Sequence, residues 1–169
     1  MLNLSPKNWK NAHLARDIMG DVMKKAPIER QRLWTEIRNT QPVLDLAYQE
    51  LKSDLQANEA MEIKLNLMIL YLYFQKKANI KKYAITKEDL RNSQKRNNSF
   101  MKYFSGENRE SQKKITLMDL LKLKSKALFG CLFARIERLP TLAAVSEKHK
   151  TKILLETKAL IEVFERKLL

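Results

Sequence analysis

The sequence predicts an all-α fold, a single-domain helical bundle of about six or seven helices over residues 1–169, and three observations lead to this prediction. The chain contains only 3 Gly and 4 Pro, too few for a turn-rich β-sandwich or a glycine-dependent phosphate loop. Apolar residues recur with the three- and four-residue spacing of amphipathic helices, and no stretch of useful length alternates apolar and polar side chains. The four prolines lie where a helix can begin or must end.

Caps and apolar spacing place the helices along the chain. Ser5 followed by Pro6 has the pattern of an N-cap with proline in the first turn. Residues 86–89 form a capping-box pattern that residues 116–119 repeat, and Asn58 is expected to end the third helix. The seven predicted helices cover residues 6–26, 28–39, 42–57, 59–78, 87–105, 117–139 and the chain after Pro140.

The fourth predicted helix, residues 59–78, is expected to be the central helix of the bundle. Between residues 65 and 74 its apolar side chains point in nearly every direction around the axis, which a surface helix cannot tolerate. This window is far shorter than the ~20 residues that span a bilayer, so it indicates a buried core helix. The same core is expected to contain four aromatic residues with apolar neighbours: Trp9, Trp34, Tyr71 and Tyr73.

Net charge is the strongest functional signal in the sequence. The chain has 33 Lys and Arg against 19 Asp and Glu, a formal net charge of +14. Residues 1–75 contribute +1, residues 76–126 contribute +10 and residues 127–169 contribute +3. Because solubility alone does not require charge in one segment, the uneven distribution indicates an anionic partner for the basic segment, residues 76–126.

Two groups of residues in the basic segment are candidate contacts for this partner. The first group, the basic elbow, comprises Lys76, Lys77, Lys81 and Lys82. The second group, the basic stripe, shares an arc of about 80° on the fifth predicted helix and comprises Lys87, Arg91, Lys95, Asn98 and Lys102. Like charges at this spacing lower helix stability by roughly 0.2–0.5 kcal/mol per pair, and a bound polyanion would remove that cost.

The opposite face of the fifth helix carries few apolar anchors, so we expect the bundle to hold this helix weakly. Its residues are Leu90, Phe100, Met101 and Phe104, interleaved with Ser93, Gln94 and Asn97. Asn, Gln and Ser next to Lys and Arg can hydrogen-bond to base edges and phosphates, although solvated helices contain them too.

Two further cations, Lys124 and Arg135, occupy positions that the pattern assigns to the apolar face of the sixth predicted helix. Cations in such places pair with acids of another helix, extend to the edge of the bundle, or line a concave anionic site. Pairing or extension is the interpretation we favour, since few cations are buried without a partner.

The sequence contains no pattern typical of a catalytic or metal site. Cys131, His13 and His149 lack the spacing of a nucleophile with its base or of a zinc ligand set, and the carboxylates form no dense cluster for a divalent metal. We therefore expect no enzymatic activity, no metal and no cofactor. The single cysteine and the polar N-terminal residues indicate a cytoplasmic protein.

These observations predict a non-enzymatic accessory protein that binds nucleic acid, DNA or RNA, by contacting phosphates through the basic segment. The main alternative is a helical adaptor or effector that binds an acidic protein, and a plain solvated helix face is another. Attachment to an anionic membrane surface is disfavoured because the fifth helix lacks a broad, bulky apolar face beside its basic one.

Overall fold

The computed structural model describes residues 6–106, 108, 110–111 and 118–169, and these form an all-α helical bundle without strands. The main helices are α1 (Pro6–Lys24), α2 (Pro27–Thr40), α3 (Pro42–Lys52), α4 (Ala57–Lys77), α5 (Lys87–Ser105), α6 (Lys126–Arg138) and α7 (Glu147–Leu168). A 3₁₀ turn at Pro140–Leu142 lies between α6 and α7. Residues 118–121 are also helical and precede α6.

The prolines begin helices as the sequence predicts. Pro27 and Pro42 occupy the first turns of α2 and α3. A backbone N–H in the first turn makes no hydrogen bond within the helix, so its absence in proline costs the helix nothing there. Helix α1 likewise begins at Pro6, whereas its predicted cap, Ser5, lies outside the described residues. The bounds of α5 agree with the sequence prediction at both ends.

The predicted boundary between the third and fourth helices is wrong. Helix α3 ends at Lys52, and α4 begins at Ala57, so Asn58 lies in the first turn of α4 instead of ending α3. The cause is a cap at Gln56, whose backbone N–H donates to the Glu59 carboxylate at 2.8 Å. An acceptor in the first turn satisfies an N–H that the helix itself leaves without a partner, and so fixes where α4 starts.

The predicted sixth helix, residues 117–139, is interrupted. Helical residues 118–121 are followed by turns at 122–125, and α6 begins only at Lys126. The turn buries Leu123 and brings the backbone N–H of Ser125 onto the carboxylate of Glu165 in α7. A charge-assisted hydrogen bond to a distant helix replaces the local helical pattern here. The predicted cap at Thr116 lies outside the described residues.

Helix α4 occupies the centre of the bundle, as its apolar sequence predicts. It packs against α1, α2, α3, α6 and α7, and Leu70, Tyr71 and Phe74 are completely buried. Trp34 and Tyr73 are buried as well. None of the described helices is long and apolar enough to cross a membrane.

Trp9 is an exception among the aromatic residues, because the prediction that it packs in the core is wrong. Its side chain is 55% exposed, and its ring stacks on that of His13 at 6.0 Å between centroids. Buried Asn11, Ala15 and Ile18 define the inward face of α1, and Trp9 lies away from that face. Helical spacing alone did not distinguish the two sides of this first turn.

Arg135 is paired, as the sequence analysis favours. Its guanidinium donates to the Glu62 carboxylate at 2.7 Å and to the Asn66 side-chain oxygen at 2.7 Å, both on α4. Its side chain is only 10% exposed, so α6 is attached to the central helix by a largely buried ion pair. Lys124, by contrast, is exposed in the turn before α6.

The complete burial of Leu70 predicts a large effect of truncation. Leu70→Ala is expected to lower the free energy of unfolding by about 2–5 kcal/mol, because it removes buried methyl groups and leaves a cavity. Urea denaturation followed by circular dichroism measures this change. Ile28→Ala is the control, since Ile28 is 54% exposed, and its effect should stay below about 0.5 kcal/mol. A similarly small effect at Leu70 would contradict the central position of α4.

Candidate nucleic-acid interface

Helix α5, which carries the basic stripe, is positioned by α7. The two helices run antiparallel, because Asp89 early in α5 pairs with Lys167 at 3.0 Å, whereas Gln94 further along α5 donates to Glu156 at 2.8 Å. Leu90 is buried on the same side of α5. The side of α5 that faces α7 is therefore known, and it determines which residues point outward.

The contact between α5 and α7 contains a polar network around a buried lysine. The Lys158 ammonium donates to Asn97 at 2.7 Å and also bonds to Glu162. It lies 2.8 Å from the Asp119 carboxylate. Glu162 in turn accepts from the Ser93 hydroxyl at 2.7 Å. We call these five residues the Lys158 network; it joins α5, α7 and residues 118–121.

The polar contact between α5 and α7 corrects two expectations from the sequence. Ser93, Gln94 and Asn97 do not contribute side chains to an exposed surface for bases, because they hydrogen-bond to acids of α7. The same bonds hold α5 against the bundle, so its attachment does not depend on apolar anchors alone. The side chains of Phe100, Met101 and Phe104 lie outside the described part of the chain.

The first turn of α5 is capped as the capping-box pattern predicts. The Thr86 backbone N–H donates to the Asp89 carboxylate at 3.0 Å, and the Asp89 N–H donates to the Thr86 hydroxyl at 3.1 Å. Burial alone would raise the pKa of Asp89, but the hydrogen bonds from Thr86 and Lys167 outweigh it and lower that pKa. The charged form of Asp89 is thus the one that stabilises this end of α5.

The buried side chain of Gln41 makes three hydrogen bonds to the backbone of the loop that leads into α5. The Gln41 amide nitrogen donates to the carbonyl oxygens of Ile80 and Tyr83, at 2.7 Å each. The Gln41 side-chain oxygen accepts from the Ile85 N–H at 3.0 Å. Because Gln41 is completely buried, these bonds fix the path of the loop two residues before α5 begins.

All members of the basic stripe are exposed on α5, where the sequence analysis places them: Lys87, Arg91, Lys95, Asn98 and Lys102. Leu90, Ser93 and Asn97 face α7, so the stripe lies on the side that points away from the core. Within the described ranges, no carboxylate lies at ion-pair distance from Lys87, Arg91 or Lys95. Three cations therefore share one helix face without neutralisation by any carboxylate that the structure describes.

The basic elbow is exposed too, and two of its four lysines contact other helices. Lys77 bonds to Asn11 of α1, and Lys81 lies 3.3 Å from Glu36 of α2. The exposed pair of Lys81 with Glu36 contributes little to stability, and the side chains of both Lys77 and Lys81 remain exposed. The nine predicted site residues thus form two groups, one beside α1 and α2 and the other on α5.

A groove on the other flank of α5 adds cations that the sequence analysis missed. The groove has a volume of about 550 Å³, and its exposed cations are Arg96, Lys122, Lys124 and Arg166. Arg96 lies about 100° beyond Lys95 around the helix, outside the arc of the stripe. The other three come from the turn before α6 and from α7, so spacing along one helix could not find them.

The carboxylates of this groove are occupied by internal partners. Glu162 and Asp119 hold Lys158, and Glu165 accepts from the Ser125 N–H. In the described part of the chain, Arg96, Lys124 and Arg166 have no such ion-pair partner. The acids are bonded inside the contact with α7, whereas cations line both flanks of α5.

The pKa of Asp89 predicts how pH affects the anchoring of α5. Asp89→Asn should lower the free energy of unfolding at pH 7 by about 0.3–1 kcal/mol, the range for a carboxylate at a helix N-terminus. Because the folded-state pKa of Asp89 is lowered, this stabilisation is present above the ordinary pKa of the group and is lost as pH falls through about 4 and below.

Urea denaturation at several pH values between 7 and 3 tests this expectation. The stability difference between the unaltered protein and Asp89→Asn should narrow toward the acid end. Asp21→Asn is the matched control, since Asp21 is exposed in α1, away from a helix N-terminus. A difference that stays constant over this pH range would show that the Asp89 charge does not stabilise α5.

In comparisons with protein-family models, curated proteins and solved structures, none matches this chain.

Proposed function

We propose that this protein is a non-enzymatic, cytoplasmic accessory protein that binds nucleic acid through phosphate contacts from α5. The observation that supports the proposal is the exposure of Lys87, Arg91 and Lys95 on one face of α5, without carboxylate partners among the described residues. Unneutralised cations on one helix face repel one another, and a polyanion removes this repulsion and releases counterions as it binds.

The length of the basic stripe suits a repeating anion. From Lys87 to Lys102 the helix rises by about 22 Å, at 1.5 Å per residue. Over that length duplex DNA carries roughly a dozen phosphates, one per ~1.7 Å of helix axis. Each turn of the stripe can thus reach a phosphate without a specific base sequence.

The groove on the other flank broadens this surface. Arg96 connects the outward face of α5 to Lys122, Lys124 and Arg166 around the groove. Guanidinium groups bind phosphate oxygens with two parallel hydrogen bonds, so Arg91, Arg96 and Arg166 would hold the backbone more firmly than lysines alone. A nucleic acid lying across α5 would meet cations on both sides of the helix.

Salt-dependent binding provides the test. We would measure affinity for fluorescein-labelled duplex DNA, single-stranded DNA and RNA by anisotropy at several salt concentrations. If Lys87, Arg91 and Lys95 each contact a phosphate of duplex DNA, replacing all three with Gln should reduce the slope of log affinity against log salt by about 2.7. Binding to different sequences should weaken to a similar extent, because phosphate contacts do not specify bases.

A charge-matched variant controls for the loss of net charge. Lys7, Lys10 and Arg16 are exposed on α1, and replacing them with Gln removes the same three charges away from α5. This control should leave the slope nearly unchanged, and circular dichroism should confirm that both variants remain helical. If the two triple variants lose affinity equally, the α5 contact would be wrong. If the unaltered protein binds no nucleic acid in a salt-sensitive manner, an acidic protein would become the partner to test.

Asn98 allows a separate test of base recognition. It is exposed within the basic stripe, and an Asn side chain can form paired hydrogen bonds with adenine in the major groove. If it does so, Asn98→Ala should cost about 1–3 kcal/mol against the preferred sequence and little against others, with the salt slope unchanged. Binding to a randomised duplex library before and after the substitution measures this effect. An equal loss of affinity for all sequences would show that Asn98 contacts the nucleic-acid backbone and not a base.

A further inference from the structure

A second cationic site lies outside the basic segment, in a cleft between α2, α3 and α4. The cleft has a volume of about 490 Å³, within the range of about 300–1,000 Å³ that is typical of small-molecule sites. Four cations line it, Arg30, Arg38, Lys52 and Lys64, against one carboxylate, Asp45. The lining therefore carries an excess of three positive charges, although residues 1–75 as a whole have a net charge of only +1.

The single carboxylate does not neutralise this cluster. Asp45 lies 3.7 Å from the Arg38 guanidinium, and in the described ranges neither Lys52 nor Lys64 has a carboxylate at ion-pair distance. Arg30 donates to backbone carbonyl oxygens at the end of α1, so its hydrogen bonds are satisfied while its charge remains. Three positive charges thus share one concave surface without counterions from the described residues.

Aromatic rings hold the two lysines of the cleft in place. The Lys64 ammonium lies 5.0 Å from the centroid of the Trp34 ring and 5.5 Å from that of Tyr48. The Lys52 ammonium lies 5.4 Å from the Tyr48 centroid. Contact with ring faces stabilises a cation without neutralising it. Both ammonium groups therefore contact the Tyr48 ring, and in the described ranges no carboxylate pairs with either of them.

The electrostatic environment of Lys64 agrees with this arrangement. Burial lowers its pKa most. The positive charges of Arg38 and Lys52 lower it further, and the Asp45 carboxylate offsets only part of this decrease. Burial and neighbouring positive charges both disfavour the charged form of a lysine. An anion that entered the cleft would oppose the effect of the neighbouring positive charges and so favour the charged form of Lys64.

We propose that this cleft binds a small phosphorylated ligand with at least two negative charges, held by Lys52 and Lys64, the two lysines without a carboxylate partner among the described residues. Lysine ammonium and arginine guanidinium groups both bind phosphate oxygens in proteins. The limited volume of the cleft suits a small molecule better than a continuous nucleic-acid strand. This site shares no residue with the basic stripe, so the two proposals stand or fall separately.

Inorganic pyrophosphate is the probe for this site, with titration calorimetry as the measurement. Lys52→Met together with Lys64→Met should weaken pyrophosphate binding by about tenfold or more, since both charges are lost while the aliphatic stems remain. The matched control is Lys7→Gln together with Lys10→Gln, which removes two exposed charges from α1 and should change the affinity by less than about twofold. The triple substitution on α5 should likewise preserve pyrophosphate binding.

A second measurement follows Lys64 directly. Lysine-selective NMR titration should show its side-chain pKa rising when pyrophosphate is bound, because the anion favours the charged ammonium. Equal pyrophosphate affinity in the unaltered protein and the Lys52, Lys64 double variant would overturn the proposal. So would an unchanged pKa of Lys64 in saturating pyrophosphate. Loss of pyrophosphate binding in the α5 variant would instead assign the anion to the α5 surface.

Discussion

The placement of the proposed binding surface depends on the buried ammonium group of Lys158. Burying a charge away from water raises the free energy of the folded state unless polar groups compensate it. Here Asn97, Asp119 and Glu162 compensate the ammonium charge from three segments of the chain. These partners come from α5, from residues 118–121 and from α7 itself. Removing any of them would leave a buried charge without full compensation, so the network requires that the three segments stay together.

Hydrogen bonds are directional, and this determines how α5 is rotated about its axis. An apolar contact tolerates some sliding and rotation, whereas bonds from Ser93 and Asn97 to Glu162 are satisfied only when that side of α5 faces α7. The remaining side then points to solvent, and it carries Lys87, Arg91 and Lys95. The same contact binds Glu156 and Glu162 of α7 internally, so these two negative charges lie inside the contact and the cations of the stripe lie outside it.

The cleft between α2, α3 and α4 shows that net charge along the sequence can conceal a local imbalance. Residues 1–75 are almost neutral, yet acids such as Asp17 and Asp21 are exposed on α1, while Arg38, Lys52 and Lys64 meet in the cleft. Electrostatic interactions depend on distance in space, and folding separates these acids from these cations. The basic segment and the cleft are therefore two cationic surfaces of different origin, one visible in the charge distribution and one created by packing.

The sequence by itself determined the helical class, the bounds of α2 and α5 to within a residue or two, the central position of α4 and the exposure of the basic stripe. These properties depend on local caps and on the 3.6-residue period, both of which are contained in short stretches of sequence. Only the tertiary structure decided the break at residues 122–125 and the exposure of Trp9. It also decided that Ser93 and Asn97 hydrogen-bond to α7, and that cations from different helices meet in the groove and in the cleft. Each of these depends on which residues meet across long distances in the chain, and spacing along one helix carries no information about its partner.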